Sequence, residues 1–313
     1  MRRASAGVST ASECVRVLTS NVLGLSNNAS QSAHKGYEHT WECRNGSKGR
    51  PMLEVIDKGS ASESHPVPLL FVHGGWHGAW CWDEHFLDFF ADKGYRAVAL
   101  SLRNHGNSAA VKRMRTCSLA NFVDDVVSVA DKLTSPPIAV GHSFGGLIVQ
   151  KYLEFHEAPA GVLLASLSSR GAGGFFVREA KRHPLRFVRS AITGKSLHSL
   201  KTPERAREHF YSAGVPESEV VRYAAALGEE YGGRLTLDLW VLNLPKPERV
   251  TTPLLVLGAE LDACLTEAET QATARAYGTE AEFFPNMGHN MMLEPGWQAV
   301  AERIDGWLTD RGL

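Results

Sequence analysis

From residue 36 onward the chain predicts an α/β fold: a mostly parallel, doubly wound sheet with a helical cap inserted between core strands. Three observations carry that expectation. Short apolar runs recur along the chain, and helical periodicity fills the gaps between them. One long stretch, 172–247, has helical patterning and no convincing strand.

Taken in order, YEHTWEC (37–43) and PMLEVID (51–57) read as a leading pair of strands. VPLLFVHGG (67–75) is apolar until it ends in glycines, as suits a strand buried on both faces of a sheet. The same signal returns in YRAVALSL (95–102), PIAVGHS (137–143), GVLLASL (161–167), PLLVLGAELD (253–262) and TEAEFFP (279–285). Helices are expected at 118–133 with Ser118 as N-cap, and at 145–156, 266–277 and 296–309. Within the insertion, TPERAREHFY (202–211) has Thr202 as N-cap and Pro203 in the first turn, and PESEVVRYAAALGEEY (216–231) follows. The resulting division is a core of 36–171 and 248–313, a cap of 172–247 and an N-terminal extension of 1–35.

That extension is rich in Ser and Ala and carries Arg2, Arg3, Arg16 and Lys35 against the single acid Glu13. Its composition suits an organellar transit peptide or a disordered tail equally. The expectation is a soluble intracellular protein, in chloroplast or mitochondrion in the first case and in the cytoplasm in the second. A net charge of -1 gives no general pull toward nucleic acid or an anionic membrane. No apolar run is long enough for stable membrane insertion. Cys14, Cys43, Cys81, Cys117 and Cys264 are scattered and lack metal spacing, so they read as reduced thiols with neither a disulfide framework nor a metal site. No cofactor is expected, and the sequence does not encode an oligomeric state.

The chemistry gathers at strand ends. In GHSFGG, Ser143 stands between Gly141 and Gly145, after an apolar strand and before the helix LIVQKYLEF. This is the G-x-S-x-G elbow, whose tight turn needs small neighbours two residues to either side of the nucleophile. The bare motif arises by chance in roughly one chain of this length in ten, so partners must be found independently. A base is available in His289, in a loop after the last strand, and a carboxylate in Asp262, ending PLLVLGAELD. The order Ser143, Asp262, His289 suits a triad on a parallel sheet. Oxyanion donors are expected from the Phe144 N–H, directly after the nucleophile, and the Gly75 N–H in the HGGW loop.

Together these features resemble the α/β-hydrolase superfamily over residues 37–311. HGGWHGAWCW (73–82) and GHNMMLEPGWQAVAERIDGWL (288–308) look most like its esterase and hydroxynitrile-lyase-like branch. The resemblance implies Ser143, Asp262 and His289 as triad, with Gly75 and Phe144 as oxyanion hole. One departure is SLRNHGNS (101–108), where many members carry an acidic residue first and Gly in place of Asn104; the loop's conformation is thereby open. Dehalogenases and epoxide hydrolases of the superfamily use an aspartate at the elbow, so Ser143 argues against both.

Other residues invite plainer readings. His73 is expected to fix the oxyanion turn, His77 to pack in its loop and His142 to be structural. Glu260 rivals Asp262, since alternation puts both on one strand face, and Asp262 is preferred for lying nearer the strand end. Trp80 and Trp82 are expected to pack the sheet–helix interface, whereas Trp76 is a candidate for the pocket wall. Asp124 and Asp125 read as a solvated helix face. The basic run FFVREAKRHPLRFVRSAITGK (175–195) reads as the solvated face of a cap helix in preference to a membrane-touching one, since Pro184 interrupts it. The function expected is cleavage of a small or medium apolar ester through an acyl-enzyme. A lyase using the same triad and, further off, a ligand-binding receptor are the alternatives.

Overall fold

The computed structural model describes residues 51–196, 200 and 202–313. The strand expected at 37–43, the extension 1–35 and Cys14 and Cys43 lie outside the described residues.

Seven strands among the described residues form one sheet: β1 Val55–Lys58, β2 Leu69–Val72, β3 Ala97–Leu100, β4 Ile138–His142, β5 Gly161–Leu164, β6 Leu254–Ala259 and β7 Ala281–Phe284. Their order is β1-β3-β2-β4-β5-β6-β7; β1 runs antiparallel to β3 and every other pairing is parallel. The chain leaves β2 for β3 on one side and then crosses to β4 on the other. This reversal opens a crevice at the carboxyl ends of β2 and β4, where open α/β sheets bind their ligands. Strands β2 to β6 are buried throughout, which is why they read as continuous apolar runs.

Most expected helices appear: α3 Leu119–Ala130, α4 Phe144–Tyr152, α7 Pro203–Phe210, α8 Glu217–Ala226, α10 Glu267–Ala276 and α11 Trp297–Thr309. Thr266 caps α10 by accepting the Glu269 N–H. Two short helices between β2 and β3, α1 Trp80–Asp83 and α2 Phe86–Asp92, were not foreseen; their aromatic side chains Trp82, Phe86 and Phe90 turn inward onto Phe71 of β2. The first described strand begins at Val55, four residues later than expected.

Between β5 and β6 the chain forms α5 Gly173–Arg182, α6 Pro184–Thr193, α7, α8 and α9 Arg234–Leu237, followed by a π-helical turn at Asp238–Leu242. Neither α5 nor α6 contains a buried residue. Leu185, Val188 and Ile192 face solvent on one side of α6, whereas Phe187 and Ala191 on the other face a cavity.

One charged pair corrects the sequence reading. Asp125 does not sit on a solvated face; it is buried and bound to Arg103, with Oδ1 2.6 Å from Nη2 and Oδ2 accepting both the Nε–H and the backbone N–H. A bidentate, fully hydrogen-bonded pair is the form in which a carboxylate tolerates burial. Asp124 beside it is exposed, as expected. No helix among the described residues is long and apolar enough to cross a membrane.

Candidate active site

Ser143 lies between β4 and α4 with φ 51° and ψ -117°, a conformation that strains any L residue and is held by its surroundings. Its N–H donates to Leu164 O at 3.1 Å, and its carbonyl accepts the Leu167 N–H at 3.0 Å. Small neighbours are obligatory here. A Cβ on Gly145 would run into the carbonyl oxygens of Val72 and His73, and one on Gly141 would lie 2.6 Å from Gly145 O. The Phe144 N–H is the first of α4, where helical N–H groups have no partner within the helix.

Beyond β6 the chain turns at once, which corrects the expectation that the strand runs to 262. The end of the strand at Ala259 also removes the alternation argument about Glu260 and Asp262. Glu260 points outward and accepts the Asn286 N–H at 3.0 Å. Asp262 turns inward: Oδ2 lies 2.8 Å from His289 Nδ1, while Oδ1 accepts the N–H groups of Cys264 and Leu265 at 2.8 and 2.9 Å. Acceptor and donor are both nearly closed to water, their side chains 5% and 2% exposed. His289 therefore holds its proton on Nδ1 toward Asp262, leaving Nε2 as the ring nitrogen available to a hydroxyl.

Three further histidines brace this arrangement. His73 Nε2 accepts the Leu102 N–H at 3.0 Å, so its Nδ1–H donates to Gly74 O at 2.7 Å and fixes the glycine turn after β2. His77 donates Nδ1–H to Gly75 O at 2.7 Å and accepts from Asn290 Nδ2 at 3.0 Å, joining the HGGW loop to the loop that carries His289. His142 donates Nε2–H to the His289 carbonyl at 3.0 Å. All three are fully buried. Burial drives the pKa of His73 and of His142 well below that of a free imidazole, and that of His77 down to about 4. At neutral pH they are neutral struts, and none adds a positive charge beside His289.

The loop that departs from the family pattern is accommodated by its own residues. Asn104 adopts φ 69°, a left-handed conformation that asparagine tolerates better than most residues. Ser101 Oγ accepts the Ala79 N–H at 2.8 Å and donates to Glu54 Oε2 at 2.6 Å, so a carboxylate still anchors this position through a hydroxyl.

Gly75, Trp76, Ser143, Phe144 and His289 all line one cavity of about 420 Å³, within the size range of small-molecule sites. Trp82 packs on Phe71 of β2, the rings tilted by 46°, whereas Trp80 stacks on His77 and on Tyr223 of α8 and so lies away from the sheet–helix interface expected for it. The opposite wall comes from the helical segment: Phe175, Phe176, Phe187, Leu235, Leu239 and Trp240. Sequence reasoning missed Phe210, whose ring stacks on that of His289 at 6.1 Å, and Asn290. It also missed Glu230, whose Oε2 accepts from His105 Nε2 at 3.1 Å and from the Trp76 N–H at 3.4 Å, tying the helical segment to the HGGW loop. Only the neighbourhood of Asn290, next to the predicted His289, gave a signal.

The sequence profile of the Alpha/beta hydrolase family matches residues 69–303, well over half of the chain. The chain belongs to the alpha/beta hydrolase family. Among curated members, a non-heme chloroperoxidase of Burkholderia pyrrocinia is 35% identical over 30% of this chain and 33% of its own length. Methylesterase 10 of Arabidopsis thaliana is 27% identical over 34% of this chain and 45% of its own length. The chain thus spans less than half the length of these relatives. A monoacylglycerol lipase of Mycolicibacterium smegmatis is 24% identical over 72% of this chain and 82% of its own length. The solved structure of a thermophilic esterase from Thermogutta terrifontis superimposes with a TM-score of 0.65 at 16% identity, covering 86% of this chain and 97% of that one; it shares the alpha/beta hydrolase fold.

Proposed function

We propose that the protein is a serine hydrolase that cleaves a carboxylic ester of small or medium, apolar character, with residues 172–247 as a cap over the site. The observation that carries this reading is the convergence of a strained Ser143, a buried His289–Asp262 pair and the HGGW loop on one largely apolar cavity. The names of relatives, methylesterase and monoacylglycerol lipase, support ester chemistry.

The reading assigns each residue a step. His289 Nε2 takes the Ser143 hydroxyl proton as Oγ bonds to the ester carbonyl carbon. The carbonyl oxygen becomes an anion within reach of the Phe144 and Gly75 N–H groups, and Asp262 steadies the imidazolium. Collapse expels the alcohol, which takes the proton from His289. Water, activated by the same nitrogen, then releases the acid and restores Ser143. Trp76 forms part of the wall against which the apolar part of the substrate lies.

The test is turnover of p-nitrophenyl esters of graded chain length together with labelling by an organophosphonate. Wild type should release alcohol in a burst and carry the label on Ser143, and Ser143→Ala should lose about 10⁴- to 10⁶-fold in kcat. Folded protein with an unlabelled Ser143 overturns the reading. Negligible ester turnover beside measurable cyanohydrin cleavage would replace hydrolase with lyase.

A further inference from the structure

We propose that Glu179, His183 and His209 form a binding site for a divalent transition-metal ion of the zinc class in the wall of the cavity. The three residues come from two helices. Glu179 and His183 stand one turn apart at the end of α5, and His209 lies in the last turn of α7. His183 ends α5 outside helical geometry, with φ -135° and ψ 62°, but its N–H still donates to Glu179 O at 2.8 Å. One ligand atom from each residue lies within 4.8 Å of the other two.

The donor set suits the ion. Two imidazoles and one carboxylate are the three protein ligands of many catalytic zinc sites, whose fourth position stays open. In a tetrahedral site with bonds near 2.1 Å, the ligand atoms stand about 3.4 Å apart. Glu179 Oε2 and His209 Nε2 are already 3.1 Å apart, so that edge opens by only a few tenths of an ångström. His183 must approach more, and its side chain, 15% exposed at the junction of two helices without buried residues, has room to do so.

Two details point past an ordinary ion pair. His209 Nδ1 lies 2.8 Å from Arg205 O, a carbonyl that can only accept, so Nδ1 carries a proton, and a metal ion would take the place of the proton that Nε2 gives to Glu179 Oε2. An outer hydrogen bond of this kind commonly orients a metal-ligating histidine. His183 Nε2 is buried yet makes no hydrogen bond; Glu208 Oε1 lies 3.0 Å away but outside hydrogen-bonding geometry. A buried, unsatisfied ring nitrogen is costly unless something takes its lone pair. The nearby positive charge of Arg186 is turned to Glu208 Oε2, 3.9 Å away.

All three ligands line the cavity that holds Ser143, so the open fourth position faces the same space. The Phe210 ring contacts both His209 and His289, with a centroid distance of 6.1 Å to each. A metal ion there would take a carboxylate or carbonyl oxygen at the non-reacting end of a bound molecule. The site stands independently of the ester-hydrolase reading, because its test needs no turnover.

The experiment is titration of the chelator-stripped full chain carrying Ser143→Ala with Co²⁺, followed by visible absorption, and with Zn²⁺ by calorimetry. One equivalent should bind, giving the d–d bands of a tetrahedral nitrogen and oxygen site. His183→Ala, at the junction of α5 and α6, should weaken binding by about 10²-fold or more, and Glu179→Gln should do the same should His209→Ala fail to fold. The cluster Asp262, Cys264 and His289 is the internal rival. Binding that survives His183→Ala but disappears in Cys264→Ala, or that carries a thiolate charge-transfer band, overturns the proposal. So does the absence of saturable binding.

Discussion

The cavity has two walls of opposite character. On the sheet side His73, His77, His142, His289 and Asn290 are all buried: His77 bonds to Asn290, His142 to the His289 carbonyl, and His73 to the backbone of Gly74 and Leu102. On the helical side, α5 and α6 have no buried residue, and α6 leaves Leu185 86% and Ile192 75% exposed while lending Phe187 and Ala191 to the cavity. The first wall is over-determined, as strained backbone at Ser143 requires. The second is a thin layer with few contacts and can change shape cheaply. On the proposed reading, chemistry belongs to the strand ends and selectivity to the helices.

The largest test of that contrast is made on the sheet side. Asp262→Asn keeps the shape but leaves His289 without its carboxylate, and kcat/KM on a p-nitrophenyl ester should fall by about 10⁴-fold. Glu260→Gln should keep nearly full activity and cost at most about 1 kcal/mol, through its bond to the Asn286 N–H. Inactivity of the second variant would reassign the acid. Next in size come two glycines. Gly145→Ala forces a Cβ into two backbone carbonyls and should cost more than about 4 kcal/mol, read as loss of soluble protein or a collapsed urea midpoint. Gly173→Ala, at the start of α5 with nothing within 4 Å of the new Cβ, should stabilise by about 0.5–1 kcal/mol. Equal effects at the two positions would erase the distinction between the walls.

The same contrast decided what could be read from the sequence. β2, β4, β5 and β6 were legible because burial on both faces leaves an unbroken apolar run, and the candidate site residues were proposed from strand ends and chain order. Strand lengths were overestimated because buried apolar residues continue after the ladder stops, as Ala165 and Leu167 do past Leu164. Asp125 was misread because its partner Arg103 lies 22 residues away in a loop, a pairing that helical periodicity cannot report. α1 and α2 were missed because WCWDEHFLDFF is aromatic on more than one face, and its turns pack on both β2 and the neighbouring Trp297. Glu230, His209 and Phe210 were invisible for a different reason. They reach the cavity only through the tertiary placement of helices; only the four-residue spacing of Glu179 and His183 left a trace.

On the helical side effects should appear in selectivity. Trp240 lines the cavity, is 42% exposed and stacks on Phe176 at 5.9 Å, which puts it at the mouth. Trp240→Ala should leave the fold intact and change KM for the longest esters by about 10-fold, while kcat on acetate esters moves less than about 3-fold. An equal loss of kcat across all chain lengths would mean that this wall also positions the reacting groups.

The smallest expected effect lies where the walls meet. His105, in the loop after β3, is fully buried; burial alone would lower its pKa, but the Glu230 carboxylate, by charge and by hydrogen bond, raises it above the free value. A group whose pKa is raised on folding stabilises the protein most below its unfolded pKa, about 6.5, and that contribution is lost as pH rises through the higher folded value. The urea midpoint of wild type should therefore decline from pH 6 toward alkaline pH, relative to that of Glu230→Gln. The two curves should converge at the alkaline end, where His105 is neutral in both. A gap between them that is the same at every pH would mean that Glu230 holds the helical segment to the HGGW loop through its bond to Trp76 alone, without the charge on His105.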